Sequence, residues 1–164
     1  MEINEWKEMC ERIRSQKEIK NKKFTQGYFV PKNWKKCLNV TDTNTPVIYR
    51  SSWECDFMNY LDNSDAFVKW GNEIIKILYP NPLTGKMSFY IPDFYIEYVD
   101  VNKVLHKELI EVKPRNQASI KHLGNVKDKL EYVKNLKKWE SAIKYCQHRN
   151  IKFRVLTETE LYRK

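Results

Sequence analysis

Apolar positions fall into helical spacing in some stretches of the chain and into strand spacing in others. Ile3, Trp6, Met9, Cys10 and Ile13 stand three or four residues apart with charges between them, which predicts an amphipathic helix over about residues 3–20. Residues 21–46 break that rhythm. Asn21-Lys22-Lys23, Gly27-Tyr28, Pro31-Lys32-Asn33 and Asp42-Thr43-Asn44-Thr45-Pro46 make a basic, turn-rich, extended segment. Ser51 or Ser52 then caps a helix to about Leu61, with Trp53, Phe57, Met58 and Leu61 as its buried stripe. Residues 66–79 hold two apolar patches. A hairpin-like turn over Asn81–Lys86 leads into a strand from Met87 to Val99. A shorter turn at 100–103 leads to a strand ending at Lys113, where Pro114 stops it. Residues 119–149 form the longest periodic stretch, with Val126, Leu130, Val133, Leu136, Trp139, Ile143 and Cys146 three or four apart. Ile151–Leu156 alternates as a last strand, and Thr157 caps a short terminal helix. The order α-β-β-β-α-β predicts an α/β fold, a mixed sheet with helices on both faces. Residues 1–46 read as a helix and basic arm, and residues 47–164 as the core.

Two strands carry charge where a buried strand should not. Ile91-Pro92-Asp93-Phe94-Tyr95-Ile96 holds a carboxylate, and Leu109-Ile110-Glu111-Val112-Lys113-Pro114 holds a carboxylate and an ammonium. Side chains alternate across a strand, so Glu111 and Lys113 share one face and Val112 takes the other. A buried lone charge costs several kcal/mol, so such a strand needs a partner or an ion. Glu-x-Lys occurs three times, but Glu5-x-Lys7 and Glu18-x-Lys20 lie in the first predicted helix, where residues two apart do not meet. Only the third follows an apolar run and comes one hairpin after the single Pro-Asp pair. Pro92 cannot donate to a ladder, which predicts an edge, bulge or splayed strand beside Asp93. Asp, Glu and Lys converging at strand ends suit a hard divalent cation held beside a phosphate and a water. Ser51-Ser52-Trp53-Glu54 fits a capping box, so Glu54 is either the cap's glutamate or a further carboxylate for the metal.

Charge distribution strengthens that picture. Residues 1–50 hold 11 Lys and Arg against 6 Asp and Glu; residues 51–113 hold 6 against 10; residues 114–164 hold 13 against 5. An acidic middle between basic ends suits carboxylates that gather a cation among side chains that neutralise a polyanion; a solvated lysine-rich surface gives the same counts. Tyr28, Trp34 and Tyr49, interleaved with Lys32, Lys35, Lys36 and Arg50, are further candidates for DNA contact. The four cysteines are scattered with no C-x-x-C pair, against a zinc site or a disulfide framework. No apolar run approaches a membrane span and the first residues lack a signal peptide's regions, so no membrane partner is expected and the cytoplasm is. His106, His122 and His148 have no neighbour in sequence to complete a site.

Taken together these residues resemble the PD-(D/E)xK nuclease superfamily. Pro92-Asp93 stands as its PD and Glu111-Val112-Lys113 as its E-x-K, with Glu54 as the extra acid of many members. The longer block Tyr49-Arg50-Ser51-Ser52-Trp53-Glu54, with Phe57-Met58 and Ile91–Tyr95, is similar to the head completion nucleases of T-even-like tailed phages. It is more distantly similar to Tn7-type transposon endonuclease subunits. The resemblance implies a restriction-endonuclease-like mixed central sheet flanked by helices, in which residues 47–164 are the nuclease core. It implies a Mg²⁺-dependent DNA nuclease, with Mn²⁺ as substitute ion, acting after packaging in the host cytoplasm or in association with the virion. Phage head or portal proteins become candidate partners. The expected metal site is Asp93, Glu111 and the Val112 carbonyl, with Glu54 for a second ion or a water and Lys113 beside the nucleophile. Arg50, Arg115, Lys121 and Lys127 are the expected DNA contacts. Two rivals share these features: a non-catalytic protein that binds the packaged DNA end or a portal, and an endonuclease subunit of a mobile element.

Overall fold

The computed structural model describes residues 3–16, 26–119 and 124–161. Helix α1 (Ile3–Gln16) is followed by a two-stranded ribbon, β1 (Gly27–Tyr28) with β2 (Ile48–Tyr49), and by α2 (Ser52–Asn63). Then come β3 (Phe67–Asn72), the hairpin β4 (Ile77–Asn81) and β5 (Lys86–Tyr90), β6 (Phe94–Val99) and β7 (Leu105–Val112). The chain continues through α3 (Arg115–Ala118), α4 (Val126–Gln147), β8 (Lys152–Leu156) and α5 (Glu158–Leu161).

The central sheet has the order β3-β6-β7-β8. β3, β6 and β7 run antiparallel to their neighbours, while β7 and β8 are parallel, with Glu111 beside Val155. A parallel pair needs a long crossover, and α4 supplies it. The α/β class and the mixed sheet between helices are therefore as expected. Phe94, Ile96, Ile110, Val112 and Leu156 face Phe57, Met58 and Leu61 of α2 in the main core. Leu109 faces the other way, into a second cluster with Ala142 and Cys146 of α4 and with Ile77, Tyr79 and Tyr90 of the hairpin.

Three elements depart from their predicted form. The strand expected over 87–99 is broken at Ile91–Asp93, and its halves belong to different sheets. Proline at 92 has no N–H for a ladder, and the chain turns there. Helix α4 starts at Val126, not near 119, where the Asn125 side chain accepts the Asp128 N–H at 2.8 Å. Its buried positions are Asn135, Ala142 and Cys146, while Val126, Leu130, Val133, Leu136 and Ile143 remain exposed. Small residues at 142 and 146 let the helix come close to the sheet, which swings the larger apolar stripe outward. The segment before Ile48 is turn-rich as predicted, yet Phe29, Cys37 and Val40 are buried in the main core with Trp6 and Cys10 of α1. Asp62, at 1% exposure, holds it by accepting the N–H groups of Lys32 (2.8 Å) and Asn33 (3.3 Å).

Candidate active site

Where β6 ends early, β7 continues. Phe94 pairs with Ile110, so an unbroken ladder would set Asp93 and Pro92 against Glu111 and Val112. Instead the Asp93 carboxylate replaces the missing strand: its Oδ2 accepts the Val112 N–H at 2.7 Å. Within a strand the N–H and C=O of one residue point to the same side. The Val112 carbonyl therefore faces the Asp93 side, and the Lys113 N–H faces the other, where it meets the Leu156 carbonyl at 2.9 Å.

Alternation does the rest. Val112 is buried in the α2 core, and Glu111 and Lys113 stand on the opposite face with Lys113 Nζ 2.9 Å from Glu111 Oε1. The second Glu111 oxygen accepts the Tyr90 hydroxyl at 2.7 Å. Burial first, and then the charge of Glu111, push the Asp93 carboxyl well above the usual range, although the Val112 N–H and Lys113 pull it down. Burial works against the Lys113 charge, but the charges of Glu111 and Asp93 outweigh it, and its pKa lies above that of an ordinary lysine. Lys113 is thus an ammonium at neutral pH. Tyr90, raised by burial and then by Glu111, stays a protonated donor.

Glu54 makes the bonds of a helix cap and stands near enough to Asp93 for its charge to bear on it. Ser51 accepts the Glu54 N–H at 3.2 Å, and the Glu54 carboxylate takes the Ser51 hydroxyl (3.1 Å) and the Arg50 N–H (3.0 Å). Its charge still raises the pKa values of Asp93 and Glu73. Glu73, with φ of 54°, turns the chain out of β3, and its N–H bonds the Asp93 carbonyl at 3.0 Å. Its carboxyl is pushed up by burial, against the pull of Arg50, with which it forms an ion pair.

Three residues that sequence reasoning missed thus belong to the site: Glu73, Tyr90 and Lys138. Lys138 comes from α4, with Nζ 5.7 Å from the Tyr90 ring centre and 5.8 Å from that of Tyr79. Burial lowers its pKa, and Lys134 and Lys113 lower it further. Spacing gave no sign of any of the three, since all arrive through the hairpin or the crossover helix. Of the residues expected on DNA, Arg50 is engaged with Glu73. Arg115 is exposed at the start of α3, its N–H on Glu158, and Lys127 is exposed in the first turn of α4. Lys121 lies outside the described residues.

The donor set fits a hard cation. Asp93 and Glu111 offer carboxylate oxygens and Val112 a carbonyl, and the charge of Glu111 raises the cost of ionising Asp93. Among the described residues no three His, Cys, Asp or Glu side chains stand close enough to cage an ion.

Two comparisons with known proteins match this chain. The family model for the TnsA-like endonuclease N-terminal domain matches residues 64–158, from the approach to β3 through the first residue of α5. The head completion nuclease of Enterobacteria phage T4 is 31% identical over 145 residues, covering 82% of this chain and 92% of that protein. Matched by that model over more than half its length, the chain belongs to the TnsA-like endonuclease N-terminal family.

Proposed function

We propose that the protein is a Mg²⁺-dependent DNA nuclease that hydrolyses phosphodiester bonds and acts on phage DNA after packaging, as a head completion nuclease. The observation that carries this reading is the Asp93 carboxylate bonded to the Val112 N–H, with Glu111 and Lys113 on the adjoining positions of the same strand end. Asp93, Glu111 and the Val112 carbonyl would hold the ion. Bound there, Mg²⁺ supplies Lewis-acid activation of a phosphodiester and acidifies a water.

The protein's own groups do the remaining work. Lys113, an ammonium on a short reach from Glu111, presents a fixed positive charge to the attacking oxygen and the phosphate. Tyr90 fixes the orientation of Glu111 through its hydroxyl. Glu54, held by its own capping bonds, would orient a water or serve a second ion. Arg115, Lys121, Lys127 and Arg50 would meet the DNA backbone, which gives affinity without sequence preference. Arg50 would have to exchange Glu73 for a phosphate. Mn²⁺ is expected to replace Mg²⁺, and action in the host cytoplasm on heads carrying a portal is part of the same proposal.

The test is cleavage of supercoiled plasmid by purified protein in Mg²⁺ and in EDTA. Wild type should nick or linearise it only with the ion, and Asp93→Ala and Lys113→Ala should abolish cleavage while keeping the native circular dichroism spectrum. Cleavage by either folded variant at the wild-type rate would end the assignment. A wild type inert in Mg²⁺ and Mn²⁺, yet bound to DNA, would favour a non-catalytic binding protein.

A further inference from the structure

Between Ile74 and Pro92 the chain carries two lysines and no Asp or Glu, although it crosses the acidic middle of the sequence. This stretch is the β4–β5 ribbon with its flanks. Glu73 and Asp93 bracket it, and the Glu73 N–H to Asp93 carbonyl bond closes its base at 3.0 Å. The ribbon therefore springs directly from the carboxylate site.

Its two faces differ from the usual pattern. Ile77, Tyr79 and Tyr90 are buried with Ala142 and Cys146 of α4. The other face of an antiparallel ribbon is normally polar. Here Leu78 lies directly across from Phe89 and Pro80 across from Met87, with Leu78 53%, Phe89 60% and Met87 60% exposed. Lys76 Nζ sits 4.6 Å from the centre of the Phe89 ring, and Lys86 lies at the far end of β5.

We infer that the outer face of this ribbon is a DNA-binding surface that packs Leu78 and Phe89 against nucleobases beside the scissile phosphate. The inference rests on the nuclease reading and names how that site takes its substrate. DNA is the occupant for three reasons. Ile91 stands two residues before Asp93, so DNA reaching the carboxylates must pass the ribbon's root. Lys76 sits on this surface and the ribbon carries no acid, so phosphates meet no repulsion there. Apolar and aromatic side chains are what stacking on bases or wedging into a base step requires, and a two-stranded ribbon is narrow enough to enter a groove.

The experiment uses the full chain with the double substitution Leu78→Ser/Phe89→Ser and, separately, Lys76→Ala. Binding of a fluorescently labelled duplex is followed by anisotropy in EDTA, where no hydrolysis occurs, across a range of salt. The double variant should bind on the order of tenfold more weakly. Its slope of log affinity against log salt should match wild type, because apolar contacts release no counterions. Lys76→Ala should reduce that slope by about one. Melting temperatures should stay close to wild type, since the altered side chains are exposed. Wild-type affinity in the double variant overturns the inference and leaves the face to a protein partner. A weakened double variant with a shallower salt slope overturns it as well, by placing the loss in phosphate contacts. Failure of the catalytic reading looks different: Mg²⁺ gives no cleavage by wild type, while the binding arm still decides the ribbon.

Discussion

Asn72 is the residue whose removal should disturb the site most without touching a signature position. It is 2% exposed at the end of β3, next to Glu73. Its Oδ1 accepts the Ile48 N–H at 3.0 Å, and its Nδ2 donates to the Asp93 carbonyl at 3.2 Å. Its backbone is clamped by Asn39, fully buried, through bonds of 2.7 and 2.8 Å. One amide thus ties β2, which leads into Arg50 and Glu54, to the segment that carries Asp93. In Asn72→Ala the backbone clamp survives, but the Ile48 N–H loses its acceptor, at about 1–3 kcal/mol for an orphaned donor. The Asp93 carbonyl keeps the Glu73 N–H, so its loss is about 0.5–1.5 kcal/mol. The sum, about 1.5–4.5 kcal/mol, is a large part of the roughly 5–15 kcal/mol of a typical domain. At this chain length it should lower the melting temperature by roughly 5–15 °C, measured by circular dichroism and urea titration. Assayed well below that temperature, plasmid cleavage should fall on the order of tenfold or more, because a carboxylate misplaced by a fraction of an ångström loses its alignment. A variant within about 0.5 kcal/mol of wild type, cleaving at the wild-type rate, would refute the claim that this amide positions Asp93.

Other substitutions probe separate parts of the same structure. Tyr90→Phe removes the hydroxyl on Glu111 and should raise the Mg²⁺ needed for half-maximal cleavage about 10-fold, as loss of such supporting bonds does elsewhere. An unchanged Mg²⁺ requirement would show that Glu111 needs no such support. Asp62→Ala strands the N–H groups of Lys32 and Asn33 and should cost about 2–4 kcal/mol in urea unfolding; an unshifted midpoint would refute the anchoring role. Gly85, at φ of 66° in the hairpin turn with open space around its missing side chain, isolates backbone strain. Gly85→Val should therefore destabilise by about 1–2 kcal/mol, whereas Gly85→Asn should be nearly neutral in thermal melts.

Strand chemistry was the most legible part of the chain because its rule is local. Alternation alone put Glu111 and Lys113 on one face and Val112 on the other, and the structure pairs the first two at 2.9 Å and buries the third. Pro92 announced the break that lets Asp93 reach across to β7, although its consequence, a strand divided between two sheets, exceeded what the spacing suggested. The capping box at Ser51 was equally readable, since it needs only a three-residue span. What stayed hidden depends on closure over longer distances. Glu73 is twenty residues from Asp93 and resembles any other turn glutamate until the hairpin folds back and their backbones bond. On helix α4 the predicted stripe divides, with Val126, Leu130, Val133, Leu136 and Ile143 left exposed while Cys146 is buried and Trp139 packs beside it. The choice was made by fit: Ala142 and Cys146 are small enough to admit Tyr79 and Tyr90 of the hairpin between helix and sheet. That fit brings Tyr90 to Glu111 and Lys138 to Tyr90, so the packing of α4 and the chemistry of the carboxylates are set by the same contact. Periodicity names the apolar positions of a helix, and here shape complementarity with a ribbon rooted in the site selects which of them are buried.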